Sequence, residues 1–196
     1  MNKPILFIDF DGTICFDKYW RDLPKNEYKL IQNFLFIENK HIVESWMIGK
    51  YSSEEVNKII SDSLKLSYKM IWDTFVEDCK TMSVDMDILE SILKLRETYQ
   101  TVLITGNMDC FSRFTVPALN LNLYFEHIIN SADTGSLKDE NEGSIFINYA
   151  KKLGTDISKC ILIDDSEKIC NLFNMLGGTP FNVNTEKNIK SYLREL

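Results

Sequence analysis

Short apolar runs alternate with helical periodicity over much of the chain, and one apolar run lies near its start. That run, Ile5-Leu6-Phe7-Ile8, is continuous and bounded by turn residues, which is typical of a buried strand. We predict this strand over residues 4–10. After residue 84 the pattern predicts helices over 85–99, 109–120, 143–153, 167–176 and 186–196, and strands over 101–105, 128–129, 160–164 and 179–183.

Residues 16–84 differ from the rest because their pattern is helical and shows no strand alternation. Apolar residues at helical spacing predict helices over 28–39 and 68–79. Between them, Ser52 and Glu55 have the spacing of a capping box, which predicts a helix that begins at Ser52 and continues to Leu64. The first strand is therefore expected to be followed by a helical insertion.

The alternation of strands and helices indicates the fold class. Such strands are joined by right-handed crossovers and form a parallel sheet. We predict an α/β fold in which residues 1–15 and 85–196 form the core around a central parallel sheet, and residues 16–84 form an inserted α-helical domain. Because ligands gather at the carboxyl ends of the strands in such sheets, the chemistry is expected at the residues that follow them.

Composition limits the partners of the chain. Of its 196 residues, 44% are hydrophobic, and its net charge of −7 argues against nucleic acid or an anionic membrane as a partner. A small phosphorylated molecule is compatible with this charge, because a local cation can override the overall field. No bilayer-spanning stretch, signal-peptide pattern or Cys-x-x-Cys pair occurs. We expect a cytoplasmic protein with reduced thiols, either a monomer or a homodimer.

Two aspartates follow the opening strand. Asp9 and Asp11 are two residues apart, so in an extended chain their carboxylates point the same way. Neighbouring carboxylates repel each other and are costly to bury, but a divalent cation neutralises both. Gly12 allows a sharp turn at this point. A plain Asp-Gly turn is the alternative, but the arrangement favours a metal-binding site.

Polar residues also follow two later strands. The strand over 101–105 ends in Thr105-Gly106-Asn107, whose hydroxyl and backbone N–H groups suit a phosphate oxygen. The strand over 160–164 leads into Asp164 and Asp165. In both places a capped turn is the alternative, although Ser166 alone could cap the next helix and leaves two carboxylates unexplained.

One lysine and two histidines bear on the chemistry of the predicted site. Lys138 lies between the second and third of these strand ends; it is either a solvated loop residue or a fixed cation beside the acids and a phosphate. His41 and His127 are the only histidines and are far apart in sequence, which argues against a histidine-based zinc site. Any metal is therefore expected to be a hard cation such as Mg²⁺.

The order of these motifs resembles the haloacid dehalogenase (HAD) superfamily: Asp-x-Asp-Gly-Thr, then a strand ending in Thr, then Lys, then a strand ending in Asp-Asp. The resemblance covers about residues 1–15 and 85–196. It implies a Rossmann-like three-layer core and, most often in that family, Mg²⁺-dependent phosphoryl transfer. The helical insertion resembles the cap that some members carry between the first and second motifs.

The resemblance also implies roles for the motif residues. Asp9 would be the nucleophile and Asp11 the general acid and base. Asp9, the backbone carbonyl of Asp11, and Asp165 would bind Mg²⁺, with Asp164 as a ligand through water or as a supporting group. Thr105, Gly106, Asn107 and Lys138 would bind the phosphate.

Two departures from the family pattern stand out. The loop after Lys138 is longer and more acidic than in many relatives, and Ile169 occupies a position where an acid or Asn is frequent. For the leaving group, the candidates are Arg21, Trp20, Trp46 and Lys50, although tryptophans are more often core residues and exposed cations are more often solvated.

Taken with these residues, the resemblance implies a Mg²⁺-dependent phosphatase that acts on a small phosphorylated metabolite through an aspartyl-phosphate. The alternatives are a phosphomutase of the same family and a non-catalytic HAD-fold binding protein. The presence of Asp11 argues against a dehalogenase, whose halide leaving group needs no proton and which does not need that carboxylate.

Overall fold

A five-stranded parallel sheet forms the centre of the computed structural model, which describes residues 3–196. The strands are β1 (Ile5–Ile8), β2 (Gln100–Thr105), β3 (His127–Asn130), β4 (Ile161–Asp164) and β5 (Thr179–Asn182). Their order in the sheet is β3-β2-β1-β4-β5, and all four pairings are parallel. The predicted α/β fold with a Rossmann-like core is confirmed.

Strand β1 is the central strand, and all four of its residues are buried. Ile8 is in register with Leu103 of β2 on one side and with Ile163 of β4 on the other. Because the three strands are parallel, their carboxyl ends lie side by side. The segments that follow β1, β2 and β4 are thereby brought to one edge of the sheet.

Helices connect the strands and cover both faces of the sheet. They are α1 (Lys25–Asn33), α2 (Lys40–Met47), α3 (Ser53–Leu64), α4 (Tyr68–Lys80), α5 (Met86–Leu95), α6 (Val116–Ala118), α7 (Ser131–Thr134), α8 (Ser144–Lys152), α9 (Glu167–Met175) and α10 (Ile189–Leu193). On one face, the Phe7 ring packs edge-on against Phe146 of α8 and Phe173 of α9. On the other face, Leu6 and Ile8 belong to a larger apolar core that includes residues of α5 and α10.

The helices α1–α4 lie between β1 and α5, within what we call the helical segment (residues 16–84). Its interior is built around the rings of Trp20, Trp46 and Phe75, which are fully buried. The predicted capping box is confirmed, since the Ser52 hydroxyl accepts the Glu55 N–H and the Glu55 carboxylate accepts the Ser52 N–H. The apolar core of the segment is continuous with that of the sheet.

Two predicted helices are interrupted by π-helical turns. The helix expected over 28–39 begins earlier, at Lys25, and passes at Phe34–Glu38 into a π-helical turn in which Asn39 donates from both its backbone and its side chain to the Phe34 carbonyl. The helix expected over 109–120 contains a second such turn, Phe111–Thr115, before α6. Pro117 lies in the first turn of α6, where its missing N–H is tolerated.

Two further helices differ from the prediction. Helix α2 was not predicted separately. The terminal helix is shorter than expected, because Asn188 caps it and it begins at Ile189.

All five cysteines are buried and free. Within residues 3–196, no helix has both the length and the apolar character needed to cross a membrane.

Candidate active site

The first acidic pair lies where β1 ends. The Asp9 N–H donates to the Ile163 carbonyl of β4 (2.9 Å), which holds the backbone in line with the sheet. The Phe10 carbonyl then accepts from the N–H groups of Ile14 and Cys15, so the chain turns back at once. Gly12 takes a φ of +75° within this turn. Asp9 is nearly fully buried, in agreement with a carboxylate that faces into the protein.

Lys138 reaches the same place from the loop after α7. Its Nζ lies 3.0 Å from Oδ1 of Asp9 and 2.6 Å from Oδ2 of Asp164. The lysine is buried, so this ammonium group is shielded from water and fixed between two carboxylates. Of the two explanations considered for this residue, the fixed cation describes its position and the solvated loop residue does not.

The second acidic pair follows β4. Asp164 is fully buried; its Oδ1 accepts the Ser166 N–H (2.8 Å), and its Oδ2 faces Lys138. Ser166 caps α9, as its sequence position suggested. Asp165 is exposed and points toward the first pair, so that one oxygen each from Asp9, Asp164 and Asp165 lies within 4.8 Å of the others.

This donor set fits a hard divalent cation. Three carboxylates meet here, and the buried ammonium group of Lys138 contacts two of them, which leaves an excess of negative charge. One oxygen from each carboxylate is close enough to the others to share one ion. The Asp11 carboxylate does not belong to this group, because its Oδ2 accepts a hydrogen bond from the Asn107 side chain (2.6 Å).

Burial has strong effects on the charges of the site. It raises the pKa of Asp9 to about 7, and Asp164 and Asp11 add to the effect although Lys138 opposes it. Burial also raises the pKa of Asp11 to about 6, against the attraction of Lys18 and Lys138. Burial lowers the pKa of Lys138, but the two facing carboxylates outweigh it and hold that pKa above its ordinary value. The lysine therefore stays charged.

The segment after β2 contributes Thr105 and Gly106, which line the same cavity as Asp9 and Asp11. The Thr105 hydroxyl is buried and has no hydrogen-bond partner within the described part of the chain. A buried hydroxyl without a partner is costly, so it is suited to an oxygen-rich ligand in the cavity.

Asn107 is placed differently from the expectation that it binds phosphate. Its backbone N–H already donates to the Ser131 hydroxyl (2.9 Å). Its side chain is fully buried, donates to Asp11 and accepts from the Tyr19 hydroxyl. Asn107 therefore contacts the neighbouring acid, and neither group is directed at a phosphate.

Two cavities adjoin at these strand ends. The first, about 250 Å³, is lined by Asp9, Asp11, Met47, Thr105, Gly106, Leu137, Lys138, Asp139, Asp164, Ser166, Lys168 and Ile169. The second, about 280 Å³, is lined by Asp11, Asp17, Lys18, Tyr19, Gln32, Phe36, Val43, Met47, Gly106 and Met108. Asp11, Met47 and Gly106 line both. The second cavity thus lies between the helical segment and the core, beside the acidic groups.

The four candidates for the leaving group are not brought to these cavities. Trp20 and Trp46 are fully buried, and their indole N–H groups donate to Asn57 and Asp109. Arg21 donates to the backbone carbonyls of Asp78 and Thr81. Lys50 is exposed and lines neither cavity. The tryptophans are core residues because their rings fill the interior of the helical segment.

Residues that sequence reasoning did not select line the second cavity instead. Lys18 and Tyr19, which immediately precede the candidate Trp20 in the chain, line this cavity. Gln32, Phe36 and Val43 come from α1, the first π-helical turn and α2. The irregular helix geometry in this region changes which side chains share a face, which the 3.6-residue period alone does not reveal.

Asp109 joins the helical segment to the core. It lies two residues after Asn107, and its carboxylate accepts from the Trp46 indole (2.8 Å), from the Ser53 hydroxyl (2.6 Å) and from Arg113 (2.7 Å). Arg113 also makes a two-pronged ion pair with Glu54 of α3. The start of α3 is therefore tied directly to the segment that follows β2.

A parallel α/β sheet with acidic groups, a buried lysine and a hydroxyl at adjacent strand ends is the architecture of Rossmann-like hydrolases. The chain belongs to the haloacid dehalogenase-like hydrolases, since the model of that family matches residues 4–168. The resemblance seen in the motifs is thus confirmed. Comparison with curated protein sequences gives no match.

Solved structures share this fold over nearly the whole chain. A HAD family enzyme from Bacteroides thetaiotaomicron, in complex with magnesium and inorganic phosphate, has a TM-score of 0.70 and 22% identity, covering 97% of this chain and 98% of its own. A predicted HAD-like family hydrolase from Porphyromonas gingivalis has a TM-score of 0.71 and 17% identity, and the match covers 100% of this chain and 98% of that hydrolase. A 2-haloacid dehalogenase from Pseudomonas syringae pv. Tomato DC3000 has a TM-score of 0.61 and 12% identity, and the match covers 95% of this chain and 88% of that enzyme. At these identities the likeness concerns the fold.

Proposed function

We propose that this hydrolase is a Mg²⁺-dependent phosphatase that acts on a small phosphorylated metabolite through an aspartyl-phosphate. The observation that carries the proposal is the buried contact of Lys138 with Asp9 beside the Asp11 carboxylate, at a cavity that Thr105 also lines. A fixed cation and a hydroxyl suit the oxygens of a phosphoryl group. The complex of a structural neighbour with magnesium and inorganic phosphate supports the same reading.

In the proposed reaction, a carboxylate oxygen of Asp9 attacks phosphorus while the bond to the leaving-group oxygen breaks. Asp11 gives a proton to that oxygen, and it later takes a proton from the water that hydrolyses the aspartyl-phosphate. The pKa of Asp11, raised by burial to about 6, keeps a useful fraction of this group protonated near neutral pH. Lys138, Thr105 and Gly106 would hold the phosphoryl oxygens.

Asp9, Asp165 and the backbone carbonyl of Asp11 would hold Mg²⁺, with Asp164 as a ligand through water or as a supporting group. The bound ion supplies positive charge that lets a carboxylate approach an anionic phosphate and stabilises the charge of the transition state. Asp164 is already engaged by Lys138 and by the Ser166 N–H, so its main contribution is to position that lysine.

The helical segment would act as a cap over the two cavities, with domain limits near residues 16 and 84. Its contribution to the second cavity combines an amine, an amide and apolar side chains: Lys18, Gln32, Phe36, Val43 and Met47. A volume of about 280 Å³ suits a leaving group of metabolite size. Closure over the site would exclude water during attack by Asp9.

The proposal is tested by release of phosphate from p-nitrophenyl phosphate with Mg²⁺ and with excess chelator. We expect Mg²⁺-dependent release that Asp9→Asn lowers at least about 1,000-fold, as expected for loss of a nucleophile. Asp139→Asn is the matched control, because Asp139 lines the same cavity but pairs with the exposed Lys168. It should keep most of the activity.

Other outcomes would assign a different function. Halide release from a 2-haloacid would indicate a dehalogenase, and transfer of phosphate within a sugar phosphate without net release would indicate a phosphomutase. Absence of turnover on a panel of phosphorylated metabolites, with Mg²⁺ bound, would indicate a binding protein. Full turnover by Asp9→Asn contradicts the mechanism.

A further inference from the structure

Tyr19 and Asn107 form a hydrogen-bonded chain that ends on Asp11. The Tyr19 hydroxyl donates to Oδ1 of Asn107 (2.6 Å), and Nδ2 of Asn107 donates to Oδ2 of Asp11 (2.6 Å). Resting on the phosphatase proposed above, we propose that Tyr19 is a positioning residue that, through Asn107, orients the Asp11 carboxyl group for proton transfer to the leaving group.

The orientation of the Asn107 amide follows from its surroundings. Its Oδ1 also faces the Met108 backbone N–H (2.9 Å), which can only donate. The oxygen of the amide must therefore point toward Met108 and Tyr19, and its nitrogen must point toward Asp11. Tyr19 can then only donate to this oxygen, so every hydrogen in the chain has a defined direction.

This direction distinguishes the two oxygens of Asp11. Oδ2 accepts an N–H from Asn107, so the proton of the neutral acid is favoured on Oδ1. In the first step, the bond from phosphorus to the leaving oxygen breaks, the bond from phosphorus to Asp9 forms, and the proton moves from Oδ1 of Asp11 to the leaving oxygen. Rotation of the carboxyl group would place the proton away from that oxygen.

The helical segment holds Tyr19 firmly. Its ring packs against the rings of Phe75, Trp20 and Trp46, with centroid distances of 5.4, 6.2 and 6.4 Å. Only 9% of the residue is exposed. Burial also raises the pKa of Tyr19 well above its ordinary value, so the hydroxyl remains a donor. Tyr19 thus links the aromatic interior of the segment to the acid.

The test uses the dependence of the reaction on the leaving group. p-Nitrophenol leaves readily without a proton, whereas phenol of nearly the same shape depends on the acid. We compare kcat/KM, which reports the first phosphoryl transfer, for p-nitrophenyl phosphate and phenyl phosphate. Tyr19→Phe should lower the value for phenyl phosphate by roughly 3- to 10-fold, the usual effect of one lost hydrogen bond, and the value for p-nitrophenyl phosphate by less than about 2-fold.

Tyr192→Phe is the matched control. Tyr192 is also 9% exposed, and its hydroxyl donates to the Asn182 carbonyl (2.8 Å), away from both cavities. It should leave the ratio of the two kcat/KM values unchanged. Asn107→Ala, which removes the donor to Asp11, should change the ratio in the same direction as Tyr19→Phe and by at least as much, and it keeps the test valid should Tyr19→Phe fold poorly.

The outcomes separate the two proposals. If the wild-type protein hydrolyses neither these esters nor any member of the panel of phosphorylated metabolites, the proposed phosphatase function is wrong and the role of Tyr19 is wrong with it. If the wild-type protein hydrolyses both esters and Tyr19→Phe and Asn107→Ala slow them equally or not at all, the function stands and the positioning role is overturned.

Discussion

A Cβ atom on Gly12 would lie 2.2 Å from Oδ2 of Asp165. Gly12 belongs to the turn after β1 and Asp165 to the end of β4, so the absence of a side chain at residue 12 lets the two acidic segments approach each other. The φ of +75° at Gly12 adds a second reason for glycine at this position.

We therefore predict that Gly12→Ala displaces Asp165 and weakens Mg²⁺ binding by about 10-fold or more, since one carboxylate ligand is lost from the proposed set. Gly135→Ala is the control, because Gly135 has nearly the same φ, +72°, with no atom within 4 Å of the added Cβ. Both variants should lose about 1–2 kcal/mol of stability from the left-handed backbone. Isothermal titration with Mg²⁺ measures the difference, and equal affinities in the two variants would contradict the prediction.

A second prediction concerns the buried ammonium group. Lys138→Met leaves Asp9 and Asp164 facing each other without a cation, and removal of one partner from a buried pair typically costs about 3–5 kcal/mol. Activity should fall at the same time. Lys168→Met is the control, since Lys168 lines the same cavity and pairs with Asp139 but its side chain is 75% exposed. Lys168→Met should lower the free energy of unfolding by less than about 1 kcal/mol. Denaturant unfolding of both variants provides the comparison.

The pKa of Asp11 predicts a pH dependence of stability. Folding raises this pKa from 3.8 to about 6 by burial, so between these values the native state binds more protons than the unfolded state. Its contribution to the free energy of unfolding therefore falls as the pH rises from about 4 to 7. Asp11→Asn removes the effect. In the absence of metal, the variant should gain stability relative to wild type over this range, by on the order of 1–3 kcal/mol at pH 7.

Thermal unfolding at pH 4, 5, 6 and 7 with chelator present checks this. The comparison with Asp11→Asn is needed because other carboxyl groups, such as Glu54 beside Arg113, have a lowered pKa. Their contribution to the free energy of unfolding rises with pH, which is opposite to the contribution of Asp11. A constant difference between the two proteins across the series would show that the pKa of Asp11 is not raised by folding.

A fourth prediction concerns the contact between the helical segment and the core. Asp109 accepts from Trp46 and Ser53, and these bonds with Arg113 lower its pKa although burial raises it. Asp109→Ala should lower stability by about 1–3 kcal/mol, because buried donors lose their acceptor. The loss should shrink at acidic pH, where the wild-type carboxylate is itself protonated. Asp62→Asn, in an exposed pair with Lys58, should cost less than about 1 kcal/mol.

The core site could be predicted from the sequence because it depends on few rules. Parallel strands bring their carboxyl ends to one edge, so Asp9, Thr105 and Asp164 were expected to lie together before any contact was known. Lys138 was less certain, since nothing in its loop specifies direction. Its placement required the tertiary contacts of two buried carboxylates.

The details of the helical segment could not be predicted in the same way. Trp20 and Trp46 were weighed as ligand contacts or as core residues, and their direction depends on how four helices pack. The bond between Tyr19 and Asn107 joins residues 88 positions apart, and no local pattern encodes it. Phe36, which lines the second cavity, lies in the π-helical turn at Phe34–Glu38, and a regular 3.6-residue period does not describe such a turn.

The position of β1 at the centre of the sheet has a consequence for biosynthesis. This strand emerges from the ribosome before its partners β2 and β4, which begin only at Gln100 and Ile161. Helices α1–α4 are synthesised after β1 and before β2, and they can start to pack while β1 has neither of its partner strands. Because such long-range pairing is slow, this apolar strand, which leads into Asp9, stays unpaired until β2 and β4 have been synthesised and is open to wrong contacts during that time.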